Sequence, residues 1–241
     1  MDLTLAEETL LLLLDDADGR PVVDADRFYA ALAGAVAADL VLQGALKMTD
    51  VTDVDHRPGR LVRTGADPGS PEMADVVDLM HGCSPRQAVG KIGGQGDWRR
   101  RRLILREIIA DGLVDRRGLR ASRSRFMGVI PLRSWLPGAH DLETPVALRV
   151  ERALFEGGEP DEKTAVLISI LHAAGALPRL YPNESTAAME RRAQKIRGGD
   201  ECGPAIERTV RDGRRRTALM TITSATLALF SVGLQLFTYW L

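Results

Sequence analysis

Cysteine is scarce in this chain of 241 residues: only Cys83 and Cys202 are present. They form no C-x-x-C pair and no cluster with histidine, so neither a zinc-type spacing nor a disulfide framework is available. The reading is two reduced thiols. The four histidines, His56, His81, His140 and His172, are scattered, and no two share ligand spacing on a helix. His172 reads as a packing residue. The Gly-rich run at 93–97 lacks the GxxxxGK[ST] pattern and follows no strand, which argues against a phosphate loop. No Ser-His-Asp or Cys-His constellation is visible, so the chain is expected not to be an enzyme and to need neither cofactor nor metal. Net charge is also missing: 32 basic residues face 33 acidic ones, for a net of -1. An electrostatic function must therefore come from local clustering. Lysine is rare too, with 4 against 28 arginines, which fits the coding bias of a GC-rich bacterial genome. The first residues carry acids at 2, 7 and 8 and no basic lead, unlike a signal peptide. The body of the protein is expected in the cytoplasm.

What is present is helical pattern. With 45% hydrophobic and 27% charged residues, the chain has the composition of a globular protein. Thr4 and Glu7 form a T-x-x-E capping box before Leu10 to Leu14, predicting a helix over 4–16 buried on all sides. Phe28, Leu32, Val36 and Leu40 recur every four residues and predict a second helix over 25–43, slim with alanine and closed by Gly44. Residues 45–51 and 59–64 read as a hairpin. Further helices are expected over 73–82, 84–92, 97–118, 143–157, 160–177, 185–199 and 204–216.

Two stretches stand out. The helix over 97–118 opens with Arg99 to Arg102 and then Arg106, positive charge where the helix dipole disfavours it. It is followed by RASRSRFMGVIPLRS at 120–134, where Arg120, Arg123, Arg125 and Arg133 surround Phe126-Met127-Gly128-Val129-Ile130. A core strand does not need those arginines, and a solvated loop does not need Phe126 and Met127. The stretch reads as a hairpin whose apolar tip is flanked by cations. Residues 217–241 hold no charge, follow Arg214 to Arg216 and end near Tyr239 and Trp240. They suit a membrane-spanning tail, but seven Ser/Thr dilute the run, and a final core helix explains it equally.

The segments LTLAEETLLLLLDDADGR, ALAGAVAADLVLQGAL, LREIIADGLVDRRGL and PDEKTAVLISILHAAGAL, in that order, resemble the Golgi phosphoprotein 3 family. The resemblance runs from about residue 3 to about residue 226. It implies a non-enzymatic, mostly helical domain that docks on membranes, binds phosphatidylinositol 4-phosphate and holds the cytoplasmic tails of glycosyltransferases. The family's lipid pattern has a Trp where this chain has Asp24, and an Arg where it has Ala33. It then has two arginines, aligned with Leu103 and Arg106. Only Arg106, followed by Glu107, matches, with Arg102 beside the other position. The family's membrane-inserting hairpin aligns its tip with Phe126-Met127-Gly128-Val129.

The expected architecture is thus mainly α: a single domain over 1–216, with a central helical bundle wrapped by amphipathic helices and one or two β-hairpins, then an apolar C-terminal segment over 217–241. The expected function is peripheral binding of anionic phospholipid or phosphoinositide head groups at the inner face of a membrane. Arg102, Arg106, Arg120, Arg123 and Arg125 would meet the head groups, with Arg99 to Arg101, Arg116 and Arg117 extending the basic face. Phe126, Met127 and Val129 would enter the bilayer. Tails of membrane enzymes are the expected protein partners, with acids near Asp50, Asp53 and Asp55 as one landing place, and a homo-oligomer is compatible with the sequence. No nucleic-acid partner is expected, although a basic helix before an arginine-flanked hairpin also imitates a winged helix, and that is the alternative reading.

Overall fold

The computed structural model describes residues 2–93, 99–126 and 130–198. The expected helix over 204–216 and the apolar segment over 217–241 lie outside the described residues. The first helix, α1 (Leu5–Leu13), is buried along its whole length, as its apolar faces require. Burying a helix end demands that each of its free amides find an acceptor. Leu5 N and Ala6 N donate to the two carboxylate oxygens of Asp39 at 2.8 and 2.9 Å. Glu7 N donates to Thr4 Oγ1 at 3.1 Å, and Glu8 N to the Thr4 carbonyl at 3.0 Å. The Glu7 carboxylate returns to Thr4 N at 2.7 Å, completing the capping box read from the sequence.

The second helix, α2 (Ala25–Leu42), carries Asp39. Its Phe28, Leu32, Val36 and Leu40 are buried, but so are most of its alanines, so it is central and not merely amphipathic. Small side chains let α1 and the helices over Pro85–Ile92, Arg99–Asp115 and Glu162–Ala173 all pack against it. Gly44 follows with a φ of +77°, the left-handed turn that ends a helix. Strands β1 (Leu46–Met48) and β2 (Leu61–Arg63) pair antiparallel, with Lys47 opposite Val62. Two short helices, α3 (Pro71–Met80) and α4 (Pro85–Ile92), start at the capping serines Ser70 and Ser84 with proline in the first turn. Then come α5 (Arg99–Asp115) and the hairpin β3 (Leu119–Phe126) and β4 (Ile130–Pro137). The chain continues through α6 (Glu143–Phe155), α7 (Glu162–Ala173), α8 (Leu177–Leu180) and α9 (Thr186–Gly198).

The architecture is the expected mainly helical single domain with two antiparallel hairpins. The helix expected over 160–177 is shorter than its pattern. Gly175, at a φ of +68°, turns the chain so that Gly175 N and Ala176 N reach back to His172 and Leu171, and a new turn, α8, begins. His172 lies half-buried in the last turn of α7.

Two buried acids knit the helices around α1. Glu8, 2% exposed, is held by Arg149 of α6 at 2.6 Å and Lys163 of α7 at 2.7 Å. Glu7 meets Arg116, just after α5, at 3.2 Å. Arg116 is therefore spent inside the fold, which corrects its expected place on the basic face.

Burial pushes the Asp39 carboxyl up from 3.8 to about 6, against the pull of its two amide partners and of Lys163. An acid whose folded pKa exceeds its unfolded one binds its proton more tightly when folded. Its contribution to stability therefore falls as pH rises through that window. A two-unit shift corresponds to about 3 kcal/mol. Glu143, pushed up to about 7 first by burial and then by Asp16 and Asp141, adds a slope of the same sign. Comparing the wild type with Asp39→Asn isolates Asp39. Denaturant melts between pH 4 and 7 are expected to show a shallower decline in the variant, and equal slopes would contradict the assignment.

Gly19 supplies a second test. It turns at a φ of +66°, and a Cβ there would lie 2.2 Å from the Trp135 carbonyl oxygen of β4. Backbone cannot yield as a side chain tip can. Gly19→Ala is expected to cost at least about 2 kcal/mol in the same assay.

Candidate functional site

The hairpin after α5 is fastened at one end. Leu119 and Trp135 near its base are 5% and 2% exposed. The turn at Gly19 presses on the Trp135 backbone, while the guanidinium of Arg106 sits over the Trp135 ring, 4.4 Å from its centroid. A cation over an indole face is attracted by the ring quadrupole. Arg106 is half-buried, and its Nε has no hydrogen-bond partner among the described residues. The one arginine that matches the family's lipid pattern is thus packed on a core tryptophan. Sequence reading did not foresee that contact, since 29 positions separate the two residues.

From this base, β3 and β4 run paired through eight rungs, from Leu119 opposite Pro137 to Phe126 opposite Ile130. Eight residues at about 3.3 Å each carry the far end roughly 25 Å from the base. Phe126 closes the last rung before the tip. Met127 and Val129 fall in the three tip positions, which lie outside the described residues, as do the side chains over 123–126 and 130–134.

The register itself is informative. Arg123 stands directly opposite Arg133, with Arg125 two residues along, opposite Pro131. With the period-two alternation of a strand, positions 123, 125 and 133 fall on one face of the ladder. Like charges directly opposite on an antiparallel pair destabilise it. The register thus sets two arginine positions opposite each other. Arg120, opposite Leu136, is exposed, and its Nε donates diagonally to the Pro137 carbonyl at 3.2 Å.

The remaining expected basic positions divide. Arg99 to Arg102 form the first turn of α5, with no acid among them, and their side chains lie outside the described residues. Arg117 is exposed at the end of that helix, at a φ of 59°. The positions aligned with the family's lipid contacts serve the fold instead. Asp24 caps α2, accepting from Arg27 N at 3.0 Å, and Ala33 is completely buried.

Of the acids expected to receive a basic peptide, Asp55 is exposed, while Asp50 and Asp53 are engaged locally. Asp50 accepts from Thr52 N and Oγ1 at 2.9 and 2.5 Å. Asp53 accepts from His56 N at 2.9 Å and pairs with Lys47 at 3.6 Å. A different surface has the required character. Between α3 and α5 lies a groove of about 510 Å³ whose floor includes Val76, Leu79, Ile104 and Ile108, rimmed by Glu72 and Asp75. Ile104, 56% exposed, is an apolar side chain without cover among the described residues. The sequence reading did not single out Ile104, which stands between Arg102 and Arg106.

Among the described residues, no helix is long and apolar enough to cross a membrane. No curated protein matches the chain. The family model for Golgi phosphoprotein 3 (GPP34) matches residues 5–212. That span takes in the buried first helix, the central α2, the arginine-headed α5, its hairpin and every helix through α9. By that match the chain belongs to the Golgi phosphoprotein 3 family.

Proposed function

We propose that the protein is a non-enzymatic, peripheral membrane protein that uses the β3–β4 hairpin to bind anionic lipid. The observation that carries this reading is the register. Arg123 opposite Arg133, with Arg125 on the same face, is a placement that folding disfavours and an anionic surface rewards. The family assignment supports a lipid-associated, non-catalytic role in coarse terms. Next to the arginines, Phe126, Met127 and Val129 form the apolar end.

Full burial of each apolar side chain is worth about 1.5–3 kcal/mol, of which an interface captures part. Each arginine near an anionic leaflet adds about 1 kcal/mol. The sum is several kcal/mol, which corresponds to micromolar-range, reversible binding that salt weakens. Recognition of one phosphoinositide would need contacts beyond these. At the family's own positions the chain offers Arg106 stacked on Trp135, a buried Ala33 and a capping Asp24. A diffuse anionic surface is the partner this arrangement suits best.

For a protein partner, the α3–α5 groove suits a short cationic peptide with apolar side chains, such as the cytoplasmic tail of a membrane enzyme. Ile104 and Ile108 would take the apolar groups, and Glu72 and Asp75 the charges. Ile104→Asp is expected to abolish binding of such a peptide in a fluorescence anisotropy titration while leaving vesicle binding intact. Equal peptide affinity in both proteins would remove the groove from the account.

Co-sedimentation with vesicles tests the lipid reading. The wild type is expected to pellet with phosphatidylglycerol-containing vesicles, to release as salt rises, and to ignore pure phosphatidylcholine. Phe126→Asp is expected to lower binding at least about tenfold, the loss of one partly buried aromatic plus an added repulsive charge. Salt-resistant binding to both vesicle types would shift the membrane contact to residues 217–241. Retention on duplex DNA in place of vesicles would favour the winged-helix alternative.

Arg123→Thr separates folding from function. Relieving the opposed pair is expected to leave thermal stability unchanged or raise it by a few tenths of a kcal/mol. Vesicle affinity is expected to fall. A drop in stability without a drop in affinity would contradict the role given to this residue.

A further inference from the structure

A second cationic surface lies away from the hairpin, in a cleft of about 610 Å³ formed around β2, the end of α3 and α4. Arg60, Arg86, Lys91 and His81 contribute polar side chains to its lining, and no carboxylate does. Several cations elsewhere in the fold are each matched by an acid. Arg63 pairs with Asp78, Lys47 with Asp53, Arg116 with Glu7, and both Arg149 and Lys163 with Glu8.

In the cleft the cations are positioned by neutral groups. Arg60 donates to the Gln87 side-chain oxygen at 2.8 Å, and Gln87 is itself fixed by the Ser84 capping box. Lys91 Nζ lies 3.4 Å from the Leu79 carbonyl and 3.0 Å from Cys83 Sγ. The His81 ring accepts from Arg63 N at its Nδ1, 3.2 Å away, which leaves Nε2 as the protonated, donating nitrogen. Arg86 is exposed, and no carboxylate lines the cleft beside it. Three positive charges held without a counter-charge around one concavity repel each other, and a bound anion relieves that repulsion.

We propose that this cleft is a binding site for a phosphomonoester. Two guanidinium groups supply planar donor forks, and a lysine supplies a point charge, the pairing that suits a tetrahedral dianion. The volume exceeds what a single phosphate fills, so the phosphate would carry a small polar body. The site shares no residue with the hairpin and does not depend on the lipid reading above. The same chemistry is offered by a soluble sugar or glycerol phosphate and by the head group of phosphatidic acid.

Calorimetric titration of the full chain with glycerol 3-phosphate tests the proposal, alongside co-sedimentation with phosphatidylcholine vesicles containing phosphatidic acid. The variants are Arg86→Gln, Lys91→Gln and Phe126→Asp. The wild type is expected to bind at least one probe saturably. Arg86→Gln, which breaks no contact among the described residues, and Lys91→Gln are each expected to weaken it roughly tenfold or more, the loss of one charge-assisted hydrogen bond. Phe126→Asp is expected to bind glycerol 3-phosphate like the wild type, so failure of the hairpin reading leaves this result untouched. Binding of the soluble probe identifies a free phosphomonoester as a ligand. Capture of phosphatidic acid vesicles alone, lost in Arg86→Gln, identifies the lipid. No saturable binding of either probe, or equal affinity in wild type and Arg86→Gln, would overturn the proposal.

Discussion

Complete burial of α1 is the constraint from which the rest of this structure follows. A nine-residue helix with no solvent-facing side must satisfy its amides and its acids from neighbouring elements. Four elements answer. Asp39 of α2 receives two amides, Arg116 beyond α5 receives Glu7, and Arg149 of α6 and Lys163 of α7 receive Glu8. Lys163 also donates to the Leu3 carbonyl. Each contact fixes a helix relative to α1. A buried ion pair is a weak source of net stability, but removing one partner leaves an uncompensated charge. The polar contacts around α1 therefore act mainly to exclude other arrangements of the bundle.

That rigidity reaches the hairpin. Arg116 pins the end of α5 to α1, and β3 starts three residues later. The turn leaving α1 closes on Trp135 from the other side. Arg106 then covers the tryptophan ring from α5. The base of the hairpin is thus gripped by α5 and by the turn between α1 and α2.

Much of this was legible in the sequence, for identifiable reasons. The capping box at Thr4 and Glu7, the leucine run behind it and the four-residue rhythm of α2 are local patterns, and each formed as read. The hairpin at 45–64 followed from its turn-rich centre. What escaped was non-local. Nothing near Glu8 announces Arg149 or Lys163, more than 140 positions away. Arg106 looked like a member of a basic face, and its stacking on Trp135 depends on how β4 returns. Arg116 read as a surface charge because its partner lies 109 positions earlier. The opposed pair of Arg123 and Arg133 was hidden for another reason: composition shows both arginines, but only the register puts them face to face. Arg60, Arg86 and Lys91 were invisible as a group, since only the fold brings Arg60, just before β2, to Arg86 and Lys91 of α4.

The central claim is that the hairpin end enters an anionic bilayer while the helical body stays outside it. An environment-sensitive fluorophore placed at position 127 through Met127→Cys, with Cys83 and Cys202 replaced by serine, reports on this directly. A matched probe at Thr52, exposed on the β1–β2 loop, serves as the reference. Lipids brominated on their acyl chains are expected to quench the probe at 127 in phosphatidylglycerol vesicles and to leave the probe at 52 unchanged. If the protein binds those vesicles while the probe at 127 stays unquenched, the hairpin is not the membrane contact and the account fails.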